Sequence, residues 1–180
     1  VKGENVMNGY WNDPDATNKT IVEGWVHTGD IGIIDNEGYI KITDRKKDII
    51  VNSGGDNISP SRIQERLEIN EEIAQSMVYG DHKNYLVAII VPSEDFMKTW
   101  SKENDVKPDL VSLISNKKFY DHLYKVVEKV NVELSLIEKV RKFIIAKEPF
   151  TIENKMMTPT LKIRRFQVIE KYGDELSSLY

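Results

Sequence analysis

The sequence predicts an α+β fold: a small mixed domain in which a β-hairpin and a short, mainly antiparallel sheet are flanked by helices. Three observations predict it. Residues 30–34 lead into a turn at Asp35-Asn36-Glu37-Gly38, and residues 39–43 then alternate apolar and polar positions, the pattern of a hairpin. Two apolar runs, 76–79 and 85–91, flank Gly80-Asp81-His82-Lys83-Asn84, a turn able to bring them side by side as antiparallel strands. Tyr120, Leu123, Tyr124, Val127, Val130, Leu134 and Ile137 recur at three- and four-residue intervals, the apolar stripe of an amphipathic helix.

In chain order, residues 1–44 alternate turn signals with short apolar pieces, as in Gly9-Tyr10-Trp11 and Asn12-Asp13-Pro14, and predict loops and short strands. Asp44-Arg45-Lys46-Lys47-Asp48 then sets five charges in a row. Such a run resists burial, so it is predicted to be a solvated connector between a partial domain, 1–44, and a complete one, 45–180. Ile49-Ile50-Val51 predicts a short strand, and Asn52-Ser53-Gly54-Gly55-Asp56-Asn57 a loop with glycine freedom. A helix is expected next. Ser59-Pro60-Ser61 offers cap candidates, Ser61 and Gln64 have capping-box spacing, and Ile63 with Leu67 forms an apolar face. Residues 93–140 carry a helical signal, 143–146 a strand, and the tail ends in a helix running through Glu175.

Composition narrows the function classes. The 180 residues are 40% hydrophobic and 30% charged, a folded rather than disordered profile. Lys+Arg 25 against Asp+Glu 29 leaves a net charge of −4, which gives no electrostatic case for nucleic acid and confines any anion site to a local cluster. The absence of cysteine excludes disulfides, thiolate zinc sites and a cysteine nucleophile. His27, His82 and His122 have no metal-ligand spacing, so no metal site is predicted. The longest apolar run, 86–91, is far short of the roughly 20 residues a membrane-spanning helix needs. Patterned sequence begins almost at Val1, and the chain is expected to be cut from something longer.

Three segments could carry chemistry. Thr28-Gly29-Asp30 places a carboxylate where its oxygens could accept hydrogen bonds from two ribose hydroxyls; alone, it reads more simply as an Asp that stabilises its own turn. Arg45 offers a guanidinium to nucleotide oxygens, and Gly54-Gly55 lets a ligand approach backbone; alone, the charges around Arg45 read as a solvated face. Lys162, among Thr158, Thr160, Arg164 and Arg165, presents an ammonium able to reach a phosphate or carboxylate; alone, it reads as a surface lysine.

Their order resembles a known pattern. Gly24-Trp25-x-x-Thr28-Gly29-Asp30, Gly38-Tyr39-Ile40 leading to Asp44-Arg45-x-Lys47-Asp48, the loop ending in Asn57-Ile58-Ser59-Pro60, and Thr158-Pro159-Thr160-x-Lys162-x-Arg164-Arg165 resemble the later motifs of the adenylate-forming superfamily. That superfamily includes acyl-CoA synthetases, adenylation domains of nonribosomal peptide synthetases and luciferases. Gly9-Tyr10-Trp11-Asn12-Asp13-Pro14 also resembles the segment closing the large amino-terminal domain, so the likeness covers nearly the whole chain.

The resemblance implies the mobile carboxyl-terminal lid domain of such an enzyme. Asp30 and Arg45 would then be nucleotide-binding, Lys162 catalytic, Lys47 the hinge, and Gly54 and Gly55 the loop along which CoA approaches. The Ser53–Pro60 stretch, the Thr-Pro-Thr-Leu-Lys form and the long helical segment are most similar to long-chain fatty acid-CoA ligases, whereas other branches more often place glycine just before the catalytic lysine. There are two departures: Lys155-Met156-Met157 replaces a common Gly-Leu-Leu, which loosens the likeness, and Val51 replaces a lysine of luciferase-like members, which argues against luciferase chemistry. The implied reaction converts fatty acid, ATP and CoA to acyl-CoA, AMP and diphosphate through an acyl-adenylate. ATP and Mg2+ would be held mainly by a larger domain outside this chain, which alone would be inactive. The implied location is cytoplasmic, either free or peripheral to a membrane. Two alternatives stay open: an adenylation domain loading an acid onto a carrier protein, and a non-catalytic interaction domain.

Overall fold

In the computed structural model, which describes residues 1–180, the first helix begins where the sequence offers its cap. Asp13 Oδ1 accepts from Ala16 N at 2.9 Å, Pro14 occupies the first turn, and α1 spans Pro14–Thr20. This corrects the expectation of loops and strands alone over residues 1–44: Asn12-Asp13-Pro14 starts a helix. β1 (Ile21–Val22) and β2 (Trp25–Val26) pair antiparallel. The expected hairpin follows as β3 (Asp30–Ile34) and β4 (Ile40–Arg45). Asp35 Oδ1 closes its turn by accepting from Glu37 N and Tyr39 N, both at 2.9 Å.

The charged connector is shorter than predicted. Asp44 and Arg45 belong to β4, and Asp44 is the one buried residue of 1–49. A carboxylate tolerates burial when it is hydrogen-bonded, and Asp44 Oδ1 accepts from Arg45 N at 2.7 Å. Only residues 46–48 remain as a turn. No hydrophobic side chain of this unit, Val1–Ile49, is buried.

The second unit is Ile50–Tyr180. β5 (Ile50–Val51) and β6 (Asn57–Ile58) pair across the glycine loop. α2 (Pro60–Glu68) takes Ser59 as its cap, whose Oγ accepts from Arg62 N at 3.4 Å, while the expected Ser61–Gln64 box does not start the helix. Gln64 reaches instead to the next strand, its Oε1 accepting from Val78 N at 3.2 Å. β7 (Ile73–Tyr79) and β8 (Leu86–Pro92) form the expected antiparallel pair. The helical signal of 93–140 resolves into α3 (Glu94–Asn104), α4 (Leu110–Ile114) and α5 (Lys117–Val132). Asp105, at φ 53°, ends α3 in the left-handed region, and Asn116 caps α5. β9 (Val140–Ile145) and α6 (Arg165–Ser177) complete the chain.

The sheet order is β7-β8-β9, and β9 runs parallel to β8. A parallel neighbour needs a long crossover, which α3 to α5 supply, so this sheet is mixed rather than purely antiparallel. β8 is buried along its whole length because both faces are covered. Leu86, Ala88 and Ile90 join Leu67 of α2 and Phe119, Leu123 and Val127 of α5 in one cluster. Val87, Ile89 and Val91 join Val168, Tyr172 and Leu176 of α6 in another. The expected stripe is cut short and slightly rotated: α5 ends at Val132, so Leu134 and Ile137 lie beyond it, and within it Phe119 and Val126 are buried whereas Tyr124 is exposed.

Candidate active site

The hairpin register brings two of the expected site residues together. Asp30 opens β3, Arg45 closes β4, and the two stand opposite each other. Arg45 Nε donates to Asp30 Oδ1 at 2.8 Å. This hydrogen bond, reinforced by the charge of Asp30, raises the Arg45 guanidinium above its ordinary value. Thr28 fixes the approach to the strand, its Oγ1 accepting from Asp30 N at 3.1 Å, while the Asp30 carboxylate accepts from Arg45. Thr28, Gly29, Arg45, Lys46 and Lys47 line an open hollow of about 510 Å3. Lys47 is exposed in the middle of the turn that follows β4, where Asp48 N and Ile49 N both donate to Arg45 O, at 2.9 and 3.2 Å.

The glycine loop is organised by one side chain. Asn52 Oδ1 accepts from Gly54 N and Asp56 N, both at 2.9 Å, and Asn52 Nδ2 donates to Asp56 Oδ2 at 3.0 Å. Gly55 holds φ 86°, with open space where a side chain would stand, so glycine is needed there for its backbone and not for room. Gly54 and Gly55 are exposed. The loop is tied to the β7–β8 turn: Val51 N donates to Asp81 Oδ1 at 3.0 Å, His82 N to Val51 O at 2.8 Å and Ser53 N to Lys83 O at 3.0 Å.

Lys162 sits on a closed turn of its own. Thr158 N donates to Lys162 O at 2.8 Å, Leu161 N to Thr158 O at 2.9 Å, and Lys162 N to Thr158 Oγ1 at 3.1 Å. Met157 and Ile163 bridge the base of the turn, and Arg164 N donates to Met156 O at 2.8 Å. Leu161 adopts φ 58°, the left-handed region in which glycine is unstrained. The Lys162 side chain is exposed and its ammonium has no ion-pair partner, while its backbone is fixed on both sides.

Sequence reasoning missed the supports of this turn. Arg165 Nη2 donates to Val78 O at 2.7 Å and Nη1 to Gln64 Oε1 at 3.3 Å, fastening the end of the turn to β7 and α2. Gln75 holds the other side, its amide exchanging hydrogen bonds with Phe150 N and O at 2.8 and 2.9 Å and reaching Met157 Sδ at 3.3 Å. The place of Arg165 in the motif around Lys162 was the available signal for the first support; nothing local marked Gln75. The glycine loop and the Lys162 turn rest on separate hydrogen-bond networks in the second unit, and Asp30, Arg45 and Lys47 belong to the first. The chain holds no group of three or more His, Asp or Glu placed to bind a metal, and no helix long and apolar enough to cross a membrane.

Comparison with known proteins identifies the family and the fold. The sequence profile of the AMP-binding enzyme C-terminal domain matches residues 47–180. A long-chain-fatty-acid–CoA ligase, FadD15 of Mycobacterium tuberculosis, is 32% identical over 191 residues, which cover 100% of this chain and 30% of that protein. Long-chain-fatty-acid–CoA ligase 5 of Mus musculus is 33% identical over 184 residues, covering 100% of this chain and 27% of that protein. The chain thus spans under a third of the length of these curated relatives. Among solved structures, the A domain of a carboxylic acid reductase from Segniliparus rugosus, in complex with AMP and a co-purified carboxylic acid, superposes with a TM-score of 0.84 at 26% identity, covering 99% of this chain and 27% of that one. The mixed α/β architecture is therefore that of the small domain of adenylate-forming enzymes.

Proposed function

The chain belongs to the AMP-binding enzyme C-terminal domain family, and on that premise we propose that it is the mobile catalytic part of an AMP-forming long-chain fatty acid-CoA ligase. The observation that carries this reading is the Lys162 turn, an exposed ammonium on a backbone fixed at both ends. In the proposed first step a fatty acid carboxylate attacks the α-phosphorus of ATP and diphosphate leaves. Lys162 spans the reacting carboxylate and the α-phosphate, where a positive charge offsets the negative charge that builds as diphosphate departs. Asp30 accepts hydrogen bonds from the ribose hydroxyls, with Arg45 at the same nucleotide; their mutual hydrogen bond would orient both.

In the second step the CoA thiol attacks the acyl-adenylate and AMP leaves. The loop of Gly54 and Gly55 lines the thiol's approach, its exposed, side-chain-free backbone admitting a slender ligand. Lys47 is the pivot between the two steps; its place in a short turn, close to the division of the chain between Ile49 and Ile50, supports that role. Residues 1–44 are proposed as the end of a larger domain that holds ATP and the acid, and 45–180 as the moving one. The Mg2+ that accompanies ATP would be held outside this chain, whose residues offer no metal-binding group. The proposed location is the cytoplasm, free or against a membrane surface.

The test uses the full-length parent protein. Lys162→Ala should lower fatty acid-dependent ATP–diphosphate exchange by about 100-fold, the scale set by removing one transition-state donor. Undiminished exchange overturns the reading and leaves a non-catalytic interaction domain in its place. A second reading, acyl transfer to a carrier protein, is favoured by the likeness to a carboxylic acid reductase A domain. Acceptor preference in the transfer step separates the two.

A further inference from the structure

We infer that Leu179 and Tyr180 form a positioning brace for the glycine loop, acting through the β7–β8 turn, so that Tyr180 supports the thioester-forming step without touching a substrate. The inference rests on the proposed role of that loop in CoA approach. Its geometry is independent of that role.

The glycine loop has little of its own to hold it. Its internal bonds come from Asn52 and Asp56, and its outward bonds all go to residues 81–84: the three backbone donations already described, and Ser53 Oγ to Asn84 Oδ1 at 2.7 Å. That turn is itself exposed at Asp81, His82 and Asn84, and His82 holds φ 56°, in the left-handed region. The rigidity of the loop therefore depends on what fixes the turn.

Leu179 and Tyr180 grip the turn from both of its strands. The Tyr180 ring lies 4.9 Å from the Tyr85 ring and 6.4 Å from the Tyr79 ring, and its hydroxyl donates to Tyr79 O at 3.2 Å. Lys83, whose carbonyl accepts from Ser53 N, places its Nζ 4.8 Å from the centre of the Tyr180 ring. Leu179 O accepts from Tyr85 Oη at 2.7 Å and from Lys142 Nζ at 2.6 Å. Although Tyr180 is exposed overall, desolvation at its ring, with Tyr79 and Tyr85 adding to it, pushes the phenol above its ordinary value. Three tyrosine rings and two lysines thus converge on one short turn whose other side carries the loop. Nothing on the Lys162 turn takes part, which predicts an effect on one half-reaction and not the other.

In the full-length parent protein, Tyr180→Ala should slow acyl transfer from a preformed acyl-adenylate to CoA by about tenfold, with ATP–diphosphate exchange kept within about twofold of wild type, a split on the scale of a small misplacement. Tyr180→Phe keeps the ring contacts and the lysine contact, and should retain near-wild-type transfer. Amide hydrogen exchange at residues 53–56 should accelerate in Tyr180→Ala and stay unchanged at 158–162. Equal loss in both half-reactions, no loss in either, or a Phe variant as impaired as the Ala variant overturns the brace. Should the wild-type parent form no acyl-CoA at all, the functional reading fails, and faster exchange at 53–56 still decides the brace by itself.

Discussion

The two units of this chain are stabilised in different ways. In residues 1–49 the strands are fixed by hydrogen bonds and one ion pair, and Ile33, Ile34, Tyr39, Ile40 and Ile42 all lie exposed. In residues 50–180 β8 is buried end to end between α2 and α5 on one face and α6 on the other. A two-stranded hairpin without apolar cover is marginal in water, whereas a sheet covered on both faces carries its own stability. The difference teaches that the Asp30–Arg45 pair and the Lys162 turn are fixed by unequal means within this chain: the first stands on a hairpin whose apolar side chains are exposed, the second on a packed domain.

Native-state hydrogen exchange gives the largest test of that contrast. Amides of β8 should exchange at least about a thousandfold more slowly than those of β3 and β4, since core strands open only near the global unfolding free energy. Equal protection in the two strand pairs would break the comparison. Next in size are truncations. Leu123→Ala, fully buried against β8, should cost about 3 kcal/mol in denaturant unfolding, and Ile34→Ala within about 0.5 kcal/mol. A costly Ile34→Ala would show that the hairpin has cover of its own.

The smallest effect sharpens the picture of the second unit. Burial raises the Glu68 carboxyl above its ordinary value, against the lowering effect of its bonds from Ser76 N and Oγ at 2.7 and 3.0 Å. A raised folded-state value means that the group's contribution is present at low pH and is lost as pH rises through that value. Glu68→Gln keeps an acceptor for Ser76 and removes the titration. The variant should therefore gain on wild type by less than about 0.5 kcal/mol between pH 4 and pH 7, the part-exposed side chain being screened by water. A gain in the opposite direction would assign the carboxylate a favourable partner instead.

Much of this could be read in advance where the cause is local. Asp35 and Gly38 set the hairpin turn, Ser59 and Pro60 start α2, and the apolar run of 86–91 announces a strand paired across the turn that precedes it. The helix at Asp13-Pro14 was equally local and was missed because a turn and a helix start use the same residues. The site divides in the same manner. Asp30, Arg45, Gly55 and Lys162 stand out by type and order, and Arg165 by its place beside Lys162, whereas Gln75, which holds the other side of the lysine turn, carries no local mark because its partners are distant in sequence.

The sequence by itself determined the family, the turns and caps, and the apolar periodicity that fills the second unit, since each follows from backbone preference or from side chains a few positions apart. Only the tertiary structure decided that β9 runs parallel to β8, that Asp44 is buried, and that Tyr180 stacks on the turn behind the glycine loop. Those outcomes depend on which distant segments share one core and on which polar atoms find partners there, and spacing along a chain does not specify either.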